Sequence, residues 1–507
     1  MINLIFTNIT IIKHTCLNKF QRINSREFKF FIFLGFNTNI RTNNQIQNIK
    51  MKEFDGKKKS KNIEKQLQPK LSRDEIISKA FQYHSQGNIS EASKYYQFFI
   101  NQGFEDHRIF LNSGEILKDL GRLEEAEIWM RRAISLKPNY TIAHNNLGNI
   151  LRAKNQLKEA ESCYCKAIIL DPNYIKAYYN LSTLTSKDEN KIWQKKLFSE
   201  SFLKNKSKND RYNIFFARAN ILHNRKNYKE SAKCLKLANQ LKILIKPSNS
   251  DSLIKKSRLL LIESNKAISN FKKPINNRQS IFIVGMPRSG TTLTESILSM
   301  NSKVFDLGEI NAFERSFKEW KEQKKKIDLF DLYIQRINKT IKSLITTNKW
   351  LYNYQYAGII SSQIPNSKII YCFRNPLDNI LSIYRTNFAK DNEYSSSLVD
   401  CAKIYLDHRR IMKKYKKRFP ENIYNLNYDL LVKNPDKEIK SLINWLGWNW
   451  NKSYLKPHLS KRSVFTASDV QIRSKINSES IGGWKNYKEM LQPAIEIISQ
   501  DDEYRNL

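Results

Sequence analysis

The chain has little of what a disulfide-built, metal-stapled or membrane-spanning protein needs. Its six cysteines, Cys16, Cys163, Cys165, Cys234, Cys372 and Cys401, show no framework spacing. That scatter suits a reducing compartment, and a cytoplasmic location is expected. Cys163 and Cys165 stand two apart in a helical segment and point in different directions, and no histidine follows at zinc-ligand spacing, so no metal is expected. Near the start, FKFFIFLGF (Phe28–Phe36) is nine residues long, well short of the roughly 20 that span a bilayer as a helix. Polar residues interrupt the first apolar run and no small-residue cleavage site follows cleanly, which excludes a membrane span there and speaks against a signal peptide. The stretch before Met51 has no repeat, periodicity or motif, so a start at Met51 is the alternative to Met1, and residues 1–71 are expected to be poorly structured. Acidic side chains are also scarce. Against 87 lysines and arginines stand 48 acids, a formal charge of +39, which attracts anions such as nucleotides, nucleic acid or acidic peptides and glycans. Lysine, isoleucine and asparagine are abundant everywhere, and nucleotide bias in the genome is the competing source of that charge. No nucleic-acid reading module accompanies it, so nucleic acid is not an expected partner. What the chain does have is 40% hydrophobic and 12% aromatic residues over 507 positions, enough for two or three globular units.

The first half repeats itself. Gly87, Gly121 and Asn155 share one turn position at a period of 34, each followed two residues later by Ile89, Leu123 or Leu157. Ala92, Ala126 and Ala160 recur at the same interval, as do Pro138 and Pro172 in KPNY and DPNY. Small alanines let two antiparallel helices approach, the turn residue permits the reversal, and proline ends the second helix. The pattern, clearest in AHNNLGNILRAKNQLKEAESCYCKAIILDPNY, resembles tetratricopeptide repeats from Ser72 to about Leu181. A fourth helical pair is expected around Asn220–Asn239, giving a repeat region over 72–245. Such arrays bind peptides or only brace the domain behind them, and both roles stay open. Residues 246–278 read as a connector, helical from Ser252 to Ser264.

The texture changes at Ser280. SIFIVG, MPRSGTT and LTESILSM read as strand, loop and helix, an order that aims backbone N–H groups and a positive helix end at one point, where a phosphate or sulfate binds. Gly285 and Gly290 carry the spacing of a nucleoside-triphosphate loop, yet the lysine required next is Thr291, which disfavours ATP or GTP hydrolysis. A positive charge sits inside the loop instead, at Arg288. A second strand-to-helix passage, KIIYCFRNPLDNILSIYR, puts Arg374 at the strand end, Pro376 in the first helical turn and Ser382 eight residues beyond Arg374. That spacing lets a planar guanidinium fork and a hydroxyl converge on one phosphate.

With both motifs in order, residues from about Gln279 to Glu489 resemble sulfotransferases, in particular those acting on protein tyrosine and carbohydrates. The resemblance implies an α-solenoid of helical repeats (72–245) followed by an α/β P-loop-like domain with a central parallel sheet (279–507). It also implies a co-substrate, 3′-phosphoadenosine-5′-phosphosulfate. Pro287, Arg288, Ser289, Gly290, Thr291 and Thr292 would cradle its 5′-phosphosulfate, and Arg374 and Ser382 its 3′-phosphate. Tyr428, in NIYNLNYDLLVKNPDKEIKSLINWLGW, would lie near the adenosine or its phosphate. Ser468 and Arg473, in TASDVQIRSKINSESIGGWKNY, would reach the donor from a covering loop. Glu309, in FDLGEINAF, is where the resembling tyrosine sulfotransferases carry their general base. Arg288 and Lys349 would supply the cations that sulfuryl transfer needs. Lys349 lies in NKWLYNY where the family often reads DKxPxN, and Asn348 and Leu351 depart from that pattern. No histidine falls between the two motifs, so histidine-based catalysis is not expected, and His408 and His458 read as structural.

The acceptor implied is a hydroxyl on a polypeptide or a glycan, an acidic one among the candidates, with a protein partner on the repeats. Two other classes compete: a catalytically idle scaffold that binds a partner and a nucleotide, and a small-molecule kinase, which the missing loop lysine opposes.

Overall fold

The computed structural model describes residues 71–184, 192–266, 278–324, 326–337, 343–388, 392–460 and 471–505. The chain forms two compact units.

The first unit takes in three helical pairs: α1 (Arg73–Ser85) with α2 (Ile89–Asn101), α3 (His107–Asp119) with α4 (Leu123–Leu136), and α5 (Thr141–Ala153) with α6 (Leu157–Leu170). Helix α1 opens with a capping box in which Ser72 and Glu75 satisfy each other's backbone donors. The repeating alanines Ala92, Ala126 and Ala160 are fully buried where each pair closes, and a side chain at Gly148 would collide with the Tyr164 ring. The shared turn residue adopts the left-handed conformation in all three copies, with φ of 73° at Gly87, 76° at Gly121 and 64° at Asn155. Glycine and asparagine bear that conformation at least cost.

The second unit runs from Leu197 towards the C-terminus and adds α7 (Ile175–Ser182). It begins with a hairpin of α8 (Lys208–Asn224) and α9 (Tyr228–Ile245), then α10 (Ser250–Lys266). The α8–α9 turn places Lys226 at φ 61°, the same left-handed position filled by lysine. Helix α10 packs onto the sheet domain, because Leu260 enters a core with Phe282, Ile359 and Met412.

Among the described residues five strands follow, β1 (Gln279–Gly285), β2 (Val304–Asp306), β3 (Ile345–Asn348), β4 (Ser367–Phe373) and β5 (Ile423–Asn427), all parallel in the order β2-β3-β1-β4-β5. The apolar runs of β1 and β4 alternate between two cores, as strands covered on both faces must. Phe282, Val284, Ile369 and Tyr371 enter one core, while Ile281, Ile283, Ile370 and Cys372 enter the other. The helices covering the sheet include α11 (Thr291–Leu298) after β1, α12 (Pro376–Tyr384) after β4 and α13 (Leu398–Arg418). No helix among the described residues is long and apolar enough to cross a membrane.

Candidate active site at the sheet edge

In an open parallel sheet, ligands bind outside the carboxyl ends of the strands where the strand order reverses. Here every strand delivers a candidate residue to that edge. The loop from Met286 to Gly290 follows β1, Glu309 lies three residues past β2, and Lys349, Arg374 and Tyr428 come directly after β3, β4 and β5.

The loop is held tightly. Its proline carbonyl, Pro287 O, accepts a hydrogen bond from Asn379 Nδ2 at 2.9 Å, and Arg288 is forced to φ 67°, a strain that side chains bear only where the surroundings impose it. Gly290, at φ 95°, caps α11, and a Cβ there would run into the Tyr428 ring. Ser289, Thr291 and Thr292 are buried, and Ser289 Oγ has no hydrogen-bond partner among the described residues. An orphaned hydroxyl costs free energy unless an anion or water completes it.

On one side of the loop, the buried Lys349 pairs with Glu309. Their backbones are locked too, since Lys349 N–H donates to Gly308 O at 2.9 Å. Asn348, the departure from the family's aspartate, closes the turn by accepting from Trp350 N–H and Asn353 Nδ2, both at 3.0 Å. Glu309 is 42% exposed while Lys349 is 1% exposed, so the carboxylate faces outward and the ammonium inward.

Elsewhere along the edge, Arg288 donates through Nε to Ser382 Oγ at 3.1 Å and through its terminal nitrogen to Gln471 Oε1 at 2.7 Å. Arg374 is buried, donates to Ser480 O at 2.7 Å, and lies 3.9 Å from both Asp378 and Asp429. Its guanidinium sits over the Tyr428 ring, 4.8 Å from the centroid, and its Nε has no hydrogen-bond partner among the described residues. Tyr428 OH is 3.1 Å from Ser480 Oγ. Asp378 accepts from Gly482 N–H at 2.7 Å and Trp484 N–H at 2.9 Å, rooting this covering segment.

Arg473 donates to Ser460 O at 2.7 Å. Ser468 lies outside the described residues. His408 is buried in α13, and burial, with a smaller effect from Arg409, depresses its pKa to about 3. It lines a narrow aromatic pocket against the loop, together with Met286, Pro287, Leu351, Tyr352 and Tyr394.

Four residues unforeseen from the sequence contribute here: Glu295, Asp378, Gln471 and Ser480. Asp378 follows Asn375-Pro376 and reads as part of a helix cap. Glu295 reads as one polar position on an amphipathic helix.

Residues 280–452 match the family model described as the sulfotransferase family, and residues 107–140 and 148–182 match tetratricopeptide-repeat models. An uncharacterized protein of Aquifex aeolicus (strain VF5) is 34% identical over 248 residues, covering 44% of this chain and 33% of the relative. The matching stretch thus spans about a third of that relative's length. Among solved structures, the sulfotransferase domain of the Synechococcus PCC 7002 olefin synthase matches 46% of this chain and 98% of its own, at 18% identity and TM-score 0.34. The sulfotransferase domain of the curacin biosynthetic pathway matches 44% and 98%, at 18% identity and TM-score 0.31. A mouse sulfotransferase complexed with PAP matches 50% and 92%, at 18% identity and TM-score 0.30. The chain therefore carries tetratricopeptide repeats followed by a sulfotransferase-family domain.

Proposed function

We propose that the C-terminal domain transfers a sulfuryl group from 3′-phosphoadenosine-5′-phosphosulfate to a hydroxyl of a polypeptide, tyrosine-like, or of a glycan. The observation that carries the reading is the Glu309–Lys349 pair at the sheet edge that also bears the strained loop. It sets a solvent-facing base beside a buried cation. The fit to the donor rests on the orphaned Ser289 Oγ and Arg374 Nε, and on the lack of room for a side chain at Gly290.

In the transfer, the acceptor oxygen bonds to sulfur as the bridging S–O bond breaks, and 3′,5′-adenosine bisphosphate leaves with the electron pair. Glu309 takes the acceptor's proton. Lys349 and Arg288 offset the charge that develops on the sulfuryl and leaving oxygens, with Ser468 a further candidate. The loop residues from Pro287 to Thr292 hold the 5′ end. Arg374, Ser382 and Tyr428 hold the 3′-phosphate and the adenosine, and Arg473 adds a cation on the covering side. The cations supply the positive charge that a metal would otherwise bring. Peptide binding by the repeats would bring a protein partner or the acceptor itself, and a cytoplasmic site of action agrees with the scattered spacing of the cysteines.

Glu309→Gln keeps shape yet accepts no proton, so donor affinity stays and single-turnover transfer falls by about 10²- to 10⁴-fold. Incubating the protein with labelled donor and fractionated lysate, then identifying the labelled species, names the acceptor. Nucleotide binding with no transfer to any fraction would favour the idle scaffold, and near-normal turnover in Glu309→Gln would remove that residue from the chemistry.

A further inference from the structure

One titratable group beside the loop has no part in the transfer step. Glu295, in the second turn of α11, is 0% exposed, and its Oε2 lies 3.9 Å from Lys349 Nζ. The ammonium of Lys349 is therefore bracketed by two carboxylates of opposite access, Glu309 open to solvent and Glu295 sealed inside. A sealed carboxylate is expensive unless a cation accompanies it. Its helix is pinned from the other direction as well, by Thr294 Oγ1 lying 3.3 Å from Cys372 Sγ on β4. Glu295 is thus fixed in place while Glu309 keeps the freedom of an exposed side chain.

We propose that Glu295 is a positioning residue for Lys349. It anchors the ammonium beside the loop and supplies a permanent counter-charge when Glu309 becomes neutral by taking the acceptor's proton. Without such an anchor, the ammonium would be free to swing away from the loop once Glu309 is neutral. With both carboxylates ionised, Lys349 is over-compensated and meets the donor's 5′ end with its attraction reduced. Protonation of Glu309 lifts that excess during transfer, so cationic stabilisation grows as the reaction proceeds, which is how binding energy becomes rate. This rests on the sulfotransferase reading of the domain.

The test compares 3′,5′-adenosine bisphosphate with 3′-AMP, which lacks the 5′-phosphate, by titration calorimetry on the full chain. Glu295→Gln leaves Lys349 with one carboxylate fewer, and the 5′-phosphate supplies the missing counter-charge. The bisphosphate is expected to bind about 3- to 10-fold more tightly while 3′-AMP changes by less than about 2-fold. Glu295→Asp, which keeps the charge on a shorter stem, is expected to fall between parent and Glu295→Gln. A merely structural carboxylate would loosen the loop and weaken both nucleotides together, which overturns the proposal, as does unchanged affinity for both. If Glu295→Gln does not fold, Glu295→Asp decides by itself: selective tightening towards the bisphosphate supports the role, and parent-like binding refutes it. A parent that binds neither nucleotide sinks the sulfotransferase reading, and the proposal with it, an outcome distinct from a parent that binds and a variant that fails to respond.

Discussion

Replacing Arg374 by alanine removes a guanidinium that holds the segment covering the site and that, in the function proposed above, also reads the nucleotide's 3′-phosphate. A charge-assisted hydrogen bond of this kind contributes roughly 1.5 to 3 kcal/mol, which is about a 10- to 150-fold loss in affinity. The structure adds a second effect of the same sign. Asp378 and Asp429, each 3.9 Å from the guanidinium, stay behind as uncompensated charges and repel the incoming phosphate. The upper part of the range is therefore expected for 3′,5′-adenosine bisphosphate. Adenosine 5′-phosphate, which lacks the 3′ group, should bind variant and parent within about 3-fold, the residual loss coming from the freed Ser480 carbonyl. Arg374→Lys separates charge from geometry, because lysine keeps the cation and loses the fork, and it should recover only part of the loss. Calorimetry with both nucleotides on the three proteins decides the matter. Equal losses for the two nucleotides would show that Arg374 does not read the 3′-phosphate.

Other outcomes are expected from the same structure. Gly290→Ala places a side chain at φ 95° and against Tyr428, so it should cost about 1–3 kcal/mol in backbone strain alone, read as a lower melting temperature and lost nucleotide binding; an unaffected variant would refute the packed loop. Burial, with minor help from Arg385 and Arg409 respectively, depresses His223 and His408 to about 3, and both fold neutral. Their stabilising contribution is complete above pH 6.5 and declines as pH falls towards 3, at about 1.4 kcal/mol per pH unit for each histidine; His408→Gln should flatten the acid limb of stability measured by denaturant titration, and an unchanged slope would contradict its burial. The α8–α9 hairpin contributes Phe215, Phe216 and Leu235 to the core that holds Ile380, Ile383 and Met490, so a fragment starting at 279 should fail to fold where one starting at 175 succeeds, as circular dichroism would report.

How much of the fold and the site was legible from residues alone depends on what each residue signals locally. The strand-loop-helix passage from Gln279 to Leu298 was, because strand, glycine-spaced loop and helix N-terminus succeed one another without interruption. The helical repeats were, because small residues and turn residues recur at fixed spacing. Lys349 and Glu309 were reached only through family resemblance, since neither has a local partner in sequence; only the return of β3 beside β2 brings them together. Glu295 and Asp378 stayed hidden because a buried polar group looks like any other polar position until tertiary neighbours enclose it. The hairpin is instructive in another way. A repeat pattern specifies that two helices pair but not what their outer faces meet, and α8 buries Ile214, Phe215, Phe216, Ala217, Ala219 and Ile221 around its circumference. Such a spread of buried apolar positions, with Arg218 buried among them, marks a helix enclosed on more than one face.

The segment that covers the site carries a last consequence. Gln471 and Ser480 already occupy Arg288 and Arg374, while Asp378 holds Gly482 and Trp484, and Tyr487 is tied to His223 and Ser231. The polypeptide is its own competitor for the cations that a phosphorylated nucleotide wants. In the function proposed above, a nucleotide reaching Arg288 and Arg374 would evict the near end of this strap while the far end stays tied to the hairpin, so that arrival of one and departure of the other would form a single exchange. Any affinity measured on the intact protein is then a difference between two occupants, and trimming Gln471 to alanine should raise it without adding one new contact to the ligand.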